Sequence, residues 1–205
     1  MSDRDVIFER LRAGLLRRRP GADLAPTDWS APRSSGELTA RFRQQATRLA
    51  SAVVGPFAAV AAPAAIAEYL NHERLPRTAV CWPALADRDW AMAGLRVAAR
   101  PATATDLVGI TGAFCAIAET GTLMLLSGAE TPATVSLLPE THIALVPIES
   151  IVATMEDGWT RLRAHSTMPR AVNFVSGPSR TADIEQTVTL GAHGPYRVLI
   201  VLTTD

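Results

Sequence analysis

Residues 110–127 read ITGAFCAIAETGTLMLLS, two apolar runs interrupted only by Glu119, Thr120 and Gly121. Runs of this length, Ile110 to Ala118 and Thr122 to Ser127, suit buried β-strands. The link between them is too short for a crossover, so they must reverse as an antiparallel hairpin. Working outward, further strands are expected at Phe57 to Ala61, Thr78 to Trp82, Arg96 to Ala99, His142 to Pro147, Ala171 to Val175 and Val198 to Leu202. Helical stretches are expected between them at Pro63 to His72, Leu85 to Ala93, Val152 to Ala164 and Thr181 to Thr187. Strands separated by helices require crossover connections. The fold class is therefore α/β, a mostly parallel sheet flanked by helices, with the hairpin as its one antiparallel exception.

The N-terminal region differs. Ile7, Leu11 and Leu15, with Phe8 and Leu16 beside them, give an amphipathic helix over Asp3 to Arg18. Arg17, Arg18 and Arg19 complement the dipole at its C-terminus. Residues 20–36 carry Pro20, Gly21, Pro26, Pro32, Ser34, Ser35 and Gly36 and read as a linker, with Trp29 as an anchor or a subunit contact. From Glu37, the series Leu38, Phe42, Ala46, Leu49 and Val53 predicts a second helix of about four turns. The expected division is residues 1–54, N-terminal helices and linker, and residues 55–205, the α/β domain.

Composition narrows the chemistry. Of 205 residues 48% are hydrophobic and 20% charged, enough apolar side chains for a sizeable core. All 20 basic residues are arginine, balanced by 20 acidic residues. Without lysine there is no Schiff base, no pyridoxal-phosphate attachment and no phosphate-loop lysine. Zero net charge argues against a nucleic-acid partner. Cys81 and Cys115 stand far apart, with no CxxC and no further thiol, so a zinc or iron–sulphur centre built by this chain alone is not expected. No metal site and no cofactor held by this chain are expected. The beginning Met-Ser-Asp-Arg-Asp has no secretory pattern, which makes a cytoplasmic protein with reduced, buried thiols the expectation. Glycine, proline or glutamate interrupts each of the most apolar stretches, so no membrane span is expected.

Three segments could carry chemistry. At the hairpin tip Glu119 shares a strand face with Ile117 and Cys115. A carboxylate there would be partly desolvated, a candidate base, nucleophile or ligand group, with Thr120, Gly121 and Thr122 around it. Acids are also common at turns, and Glu119 could simply point to water. In the second segment Ser176, Gly177, Ser179, Arg180 and Thr181 leave a strand for an expected helix, and free amides, hydroxyls and a guanidinium there suit a small carboxylate or phosphate. Asp183 and Glu185 weaken this, since they already serve the dipole, and Ser179 or Thr181 could be an ordinary N-cap. The third segment is His193, between Gly191-Ala192 and Gly194-Pro195, an unhindered titratable candidate. His142, opening a strand, reads better as a core histidine. No two histidines have helical ligand spacing.

Four blocks in order, Gly109 to Thr122, Ser136 to Val146, Ser176 to Glu185 and Gly191 to Pro195, resemble the LUD-domain proteins of the LutC/YkgG type. The resemblance spans roughly residues 55–203. It implies a fold similar to the NagB/RpiA/CoA transferase-like superfamily, and a place in L-lactate utilisation. There, LutA-like and LutB-like iron–sulphur partners oxidise lactate to pyruvate, and the clusters lie in those partners. On this basis the chain is expected to be the non-redox subunit of such a complex, holding a small carboxylate or a partner. Two alternatives stay open: a CoA transferase- or cycloligase-like enzyme using Glu119, and a ligand-sensing or assembly protein without turnover.

Overall fold

The computed structural model describes residues 3–16, 38–165, 167–181, 189–190 and 194–204. Its contacts separate two units, Met1–Ala31 and Pro32–Asp205. The first contains helix α1 (Asp3–Leu16), on which Ile7 and Phe8 are exposed and the Arg4 guanidinium lies 5.6 Å from the Phe8 ring centre. Arg17 to Arg19, the linker and Trp29 lie outside the described residues.

The second unit opens with α2 (Leu38–Arg48), β1 (Ala52–Ala58), α3 (Ala62–His72), β2 (Thr78–Cys81) and β3 (Arg96–Ala99). It continues with β4 (Val108–Thr111), β5 (Cys115–Ile117), β6 (Thr122–Leu126), α4 (Thr134–Leu137) and β7 (Thr141–Pro147). The rest is β8 (Ile151–Val152), α5 (Met155–Arg163), β9 (Val172–Val175), β10 (Arg180–Thr181), β11 (Thr189–Leu190) and β12 (Arg197–Thr204).

Six strands form a parallel sheet in the order β1-β12-β7-β4-β2-β3. The central strands β7 and β12 are buried along nearly their whole length, which is why they read as unbroken apolar runs. β3, at an edge, is mostly exposed and begins with Arg96, a charge that discourages pairing with another chain. On one face Ile110, Ile143, Leu145, Leu199 and Val201 pack against Ile66 and Leu70 of α3 and against Trp90 and Leu95. On the other face Val80, Ala144, Val146, Ile200 and Leu202 meet Phe42 and Ala46 of α2 and the inner residues Ala116, Ala118, Leu123 and Leu125 of a second sheet. That sheet has the order β8-β5-β6-β9 and contains the hairpin. α5 covers its outer side through Leu162 on Cys115 and Met124. The fold is α/β, a mostly parallel sheet flanked by helices, with the hairpin sheet inserted beneath α5.

The apolar run from Ile110 to Ala118 is two strands rather than one. β4 lies inside the parallel sheet, the chain leaves it at Gly112, and β5 belongs to the second sheet. β9 joins that sheet too, antiparallel to β6. β1 begins earlier than expected and runs through a register break between Val54 and Phe57, where Gly55 and Pro56 lie. Leu85 to Ala93 is not a helix. Pro83–Leu85 makes one tight turn, and further turns follow, in which the Asp89 carboxylate accepts from the Met92 amide at 3.4 Å and competes with helical bonding. α5 starts later, at Met155, because Thr154 and Asp157 form a reciprocal capping box. Thr181 begins no helix: β10 pairs antiparallel with β11, and residues 182–188 lie outside the described residues.

One consequence of the strand order positions a site. From β2 the chain moves to β3 on one side, and from β4 to β7 on the other. A crevice therefore opens at the carboxyl ends of β2 and β4, the switch point where open parallel sheets receive ligands.

Candidate functional site

The turn carrying Glu119 runs Ala118, Glu119, Thr120, Gly121 and is closed by the Gly121 amide donating to the Ile117 carbonyl at 2.8 Å. The amides of Ala118 and Glu119 donate to the carbonyls of Val152 and Ala153 at 2.8 and 3.0 Å, which fixes the turn to the end of β8 and the residue after it. Gly121 has φ +69°, and a Cβ on it would lie 2.3 Å from the Ala46 nitrogen. Only glycine permits α2 to come this close. Gly177 repeats the device, with φ +86° and the Leu49 carbonyl 2.2 Å from where a Cβ would stand.

Both motif loops thus rest on the C-terminal end of α2. Their side chains also touch: Thr122 Oγ1 and Ser176 Oγ are 2.8 Å apart. The Ser179 amide donates to the Pro195 carbonyl at 2.8 Å, which brings in the Gly194-Pro195 end of the third segment. Thr120 is exposed, and Glu119 is half-buried with no hydrogen bond or ion pair from its carboxylate to any described residue. Arg180 and Thr181 are placed by their backbone pairing with Leu190 and Thr189, while their side chains, like His193 itself, lie outside the described residues. The seat on α2 was not visible in the sequence. Its only signal was a pair of glycines, and glycine in a loop has many uses.

The remaining candidates are structural. His142 is fully buried, its Nε2 2.8 Å from Thr111 Oγ1, and burial pushes its pKa down to about 4. Cys81 and Cys115 are free and buried, and burial raises each thiol to about 11, so neither is a thiolate near neutral pH. Among the described residues no group of three or more His, Cys, Asp or Glu is placed to hold a metal, and no helix is long and apolar enough to cross a membrane.

A second feature has no counterpart in the sequence reading. At the switch point lies a cleft of about 560 Å³, lined by residues that include Trp82, Phe114, Leu126, Ser127 and Arg170. Glu119 does not line it. The turn and the cleft occupy opposite ends of β6, Thr122 beginning the strand and Leu126 ending it, about 13 Å apart at the usual strand rise.

Comparison with known proteins agrees with this architecture. The LUD domain model matches residues 43–203. Lactate utilization protein C of Bacillus subtilis (strain 168) is 40% identical over 102 residues, which is 48% of this chain and 42% of that protein. Lactate utilization protein C 1 of Bacillus mycoides (strain KBAB4) is 39% identical over 123 residues, 58% of this chain and 52% of the relative. The match therefore spans about half the length of these curated relatives. The crystal structure of a DUF162 family protein from Deinococcus radiodurans is similar with a TM-score of 0.64 at 25% identity, covering 84% of this chain and 99% of that one. The matched residues take in the parallel sheet, the hairpin and both loops seated on α2, and this chain belongs to the LUD-domain family.

Proposed function

We propose that the chain serves lactate utilisation as a cytoplasmic subunit without a redox centre of its own, acting beside LutA-like and LutB-like iron–sulphur proteins in the oxidation of lactate to pyruvate. The observation that carries this reading is its similarity to lactate utilization protein C, at 40% identity over 102 residues. With two cysteines in the whole chain, electron transfer falls to the partners. The loops seated on α2 supply the contact surface for a small carboxylate or for a partner. Thr120, Ser176 and Ser179 offer hydroxyls, Thr122 orients that of Ser176, Arg180 brings a planar guanidinium fork for a carboxylate and His193 an imidazole. Gly121 and Gly177 hold these loops against α2.

The test is isolation of the tagged full chain from its native host grown on lactate, followed by iron analysis and visible absorption of the eluate. Co-elution of iron–sulphur proteins is expected, weakened by Arg180→Gln. A chain that elutes alone, or only with copies of itself, overturns the reading.

One observation favours a second reading. The half-buried Glu119 carboxylate has no partner among the described residues, as a carboxylate that attacks an acyl carbon would require. In that case Glu119→Gln abolishes acyl transfer between a thioester and a small carboxylate. A wild-type chain without such activity excludes it.

A further inference from the structure

We propose that the switch-point cleft is a binding site for a ring-bearing organic anion, an aromatic or heterocyclic group carrying a carboxylate or a phosphate. Its position comes first: it opens where β2 and β4 send the chain in opposite directions, the place at which parallel sheets receive small molecules. Its volume, about 560 Å³, lies within the range of about 300–1,000 Å³ that suits drug- or cofactor-sized ligands, and far exceeds the needs of a three-carbon acid.

The floor is built to take a ring. Trp82 follows β2 and is almost wholly buried, its indole Nε1 donating to the Pro132 carbonyl at 3.2 Å. Gly112 follows β4, and a Cβ built on it would stand 3.5 Å from Cζ3 and 3.7 Å from Cε3 of the Trp82 indole. Glycine here is not required by a positive φ or by a backbone clash. Its missing side chain leaves the cleft floor open down to the Cε3–Cζ3 edge of the Trp82 ring, the small part of a side chain that is 5% exposed. Leu85, Leu126 and Met168 add apolar wall, and Met168 is 64% exposed although it is a large apolar side chain. Phe114 completes the wall edge-on to the His165 ring, with centroids 5.8 Å apart.

The rim is built to take an anion. Arg170 lines the cleft, is exposed, and makes no hydrogen bond or ion pair with a described residue. The Arg161 guanidinium lies 5.4 Å from the Phe114 ring centre and adds positive potential beside the wall. Ser127 Oγ accepts from the Ala171 amide at 2.8 Å, so its hydroxyl proton remains available to a ligand oxygen. Among the described residues that line it none is acidic; Glu130, beside Thr131, is exposed. An apolar wall of Phe114, Leu126 and Met168 above the Trp82 edge, with a guanidinium unpaired among the described residues and a hydroxyl able to donate in the same concavity, selects a ring together with a negative charge. This inference does not depend on the lactate reading, whose contact surface lies at the other end of β6.

The test titrates the full chain with 1-naphthoate, 1-naphthyl phosphate, neutral 1-naphthol and lactate, followed by calorimetry. Both aromatic anions should bind, with 1-naphthol and lactate at least about tenfold weaker, as expected when a charge-assisted hydrogen bond or the ring contact is missing. Whichever anion binds more tightly identifies the headgroup. Arg170→Gln, on the exposed rim, should weaken both anions about fivefold or more and leave 1-naphthol unchanged. Gly112→Val should fill the cleft floor beside the Trp82 edge and weaken all three aromatic probes, and Phe114→Leu gives the same reading if the valine variant does not fold. The proposal is overturned if 1-naphthol binds as tightly as the anions, if neither anion binds at millimolar concentration, or if the folded variants keep wild-type affinity. Such failure would leave co-elution with iron–sulphur proteins unaffected.

Discussion

His142, on β7, is wholly buried, with Nε2 bonded to Thr111 and Nδ1 without a partner among the described residues. Burial lowers its pKa from 6.5 to about 4. Between those values the unfolded chain binds a proton that the folded chain refuses, so stability is full above pH 6.5, falls as pH drops and levels off below about 4. The loss from this one group is about 3 kcal/mol at most. His142→Gln, which can keep a bond to Thr111, should flatten the pH dependence of urea unfolding across this window; an unchanged slope would assign the effect elsewhere. At this scale the sequence was a fair guide. It marked His142 as a core residue, and it marked Glu119, Thr122 and Ser176, which fall in one place. It did not reveal that Gly121 and Gly177 serve helix packing, because the backbone groups they approach belong to Ala46 and Leu49, far away in the chain. Nor did it single out Trp82 and Gly112, whose meaning depends on strand order.

At the scale of elements, α2 decides how the motif loops are held. It ends at Arg48 because Ala50 takes φ +64°, with the Ser51 amide returning to the Ala46 carbonyl and the Ala50 amide to that of Thr47, a Schellman ending. Glycine is the usual residue at that position. Ala50→Gly should raise stability by about 1 kcal/mol, read as a higher midpoint of denaturation. Gly121→Ala should do the opposite and cost at least about 2 kcal/mol, combining left-handed strain with an overlap against the backbone of α2. If Gly121→Ala were neutral, α2 would not be seated as described. The elements that misled the sequence reading did so for local reasons. Ile110 to Ala118 is apolar throughout because both sheets are buried there, so hydrophobicity alone could not show the break at Gly112. The helix expected from Leu38 through Val53 is cut short by the turn at Ala50, where alanine gives no warning.

At the scale of the whole molecule, the α/β body presents two candidate sites at opposite ends of β6. The parallel sheet and the hairpin sheet share one core, and β6 runs through it from the loops on α2 to the cleft at the switch point. The fold class was legible because strand and helix periodicities alternate along the chain. The cleft was not, since it is assembled from the ends of β2, β4 and β6 together with residues preceding β9. The proposed place in lactate utilisation rests on similarity to lactate utilization protein C, and that link is what most needs measuring. The direct measurement is lactate-dependent pyruvate formation in extracts of the native host with this gene deleted, with and without the purified chain added back. The rate should be lost on deletion and recover with the added chain. A deletion extract that oxidises lactate at the undiminished rate would contradict it.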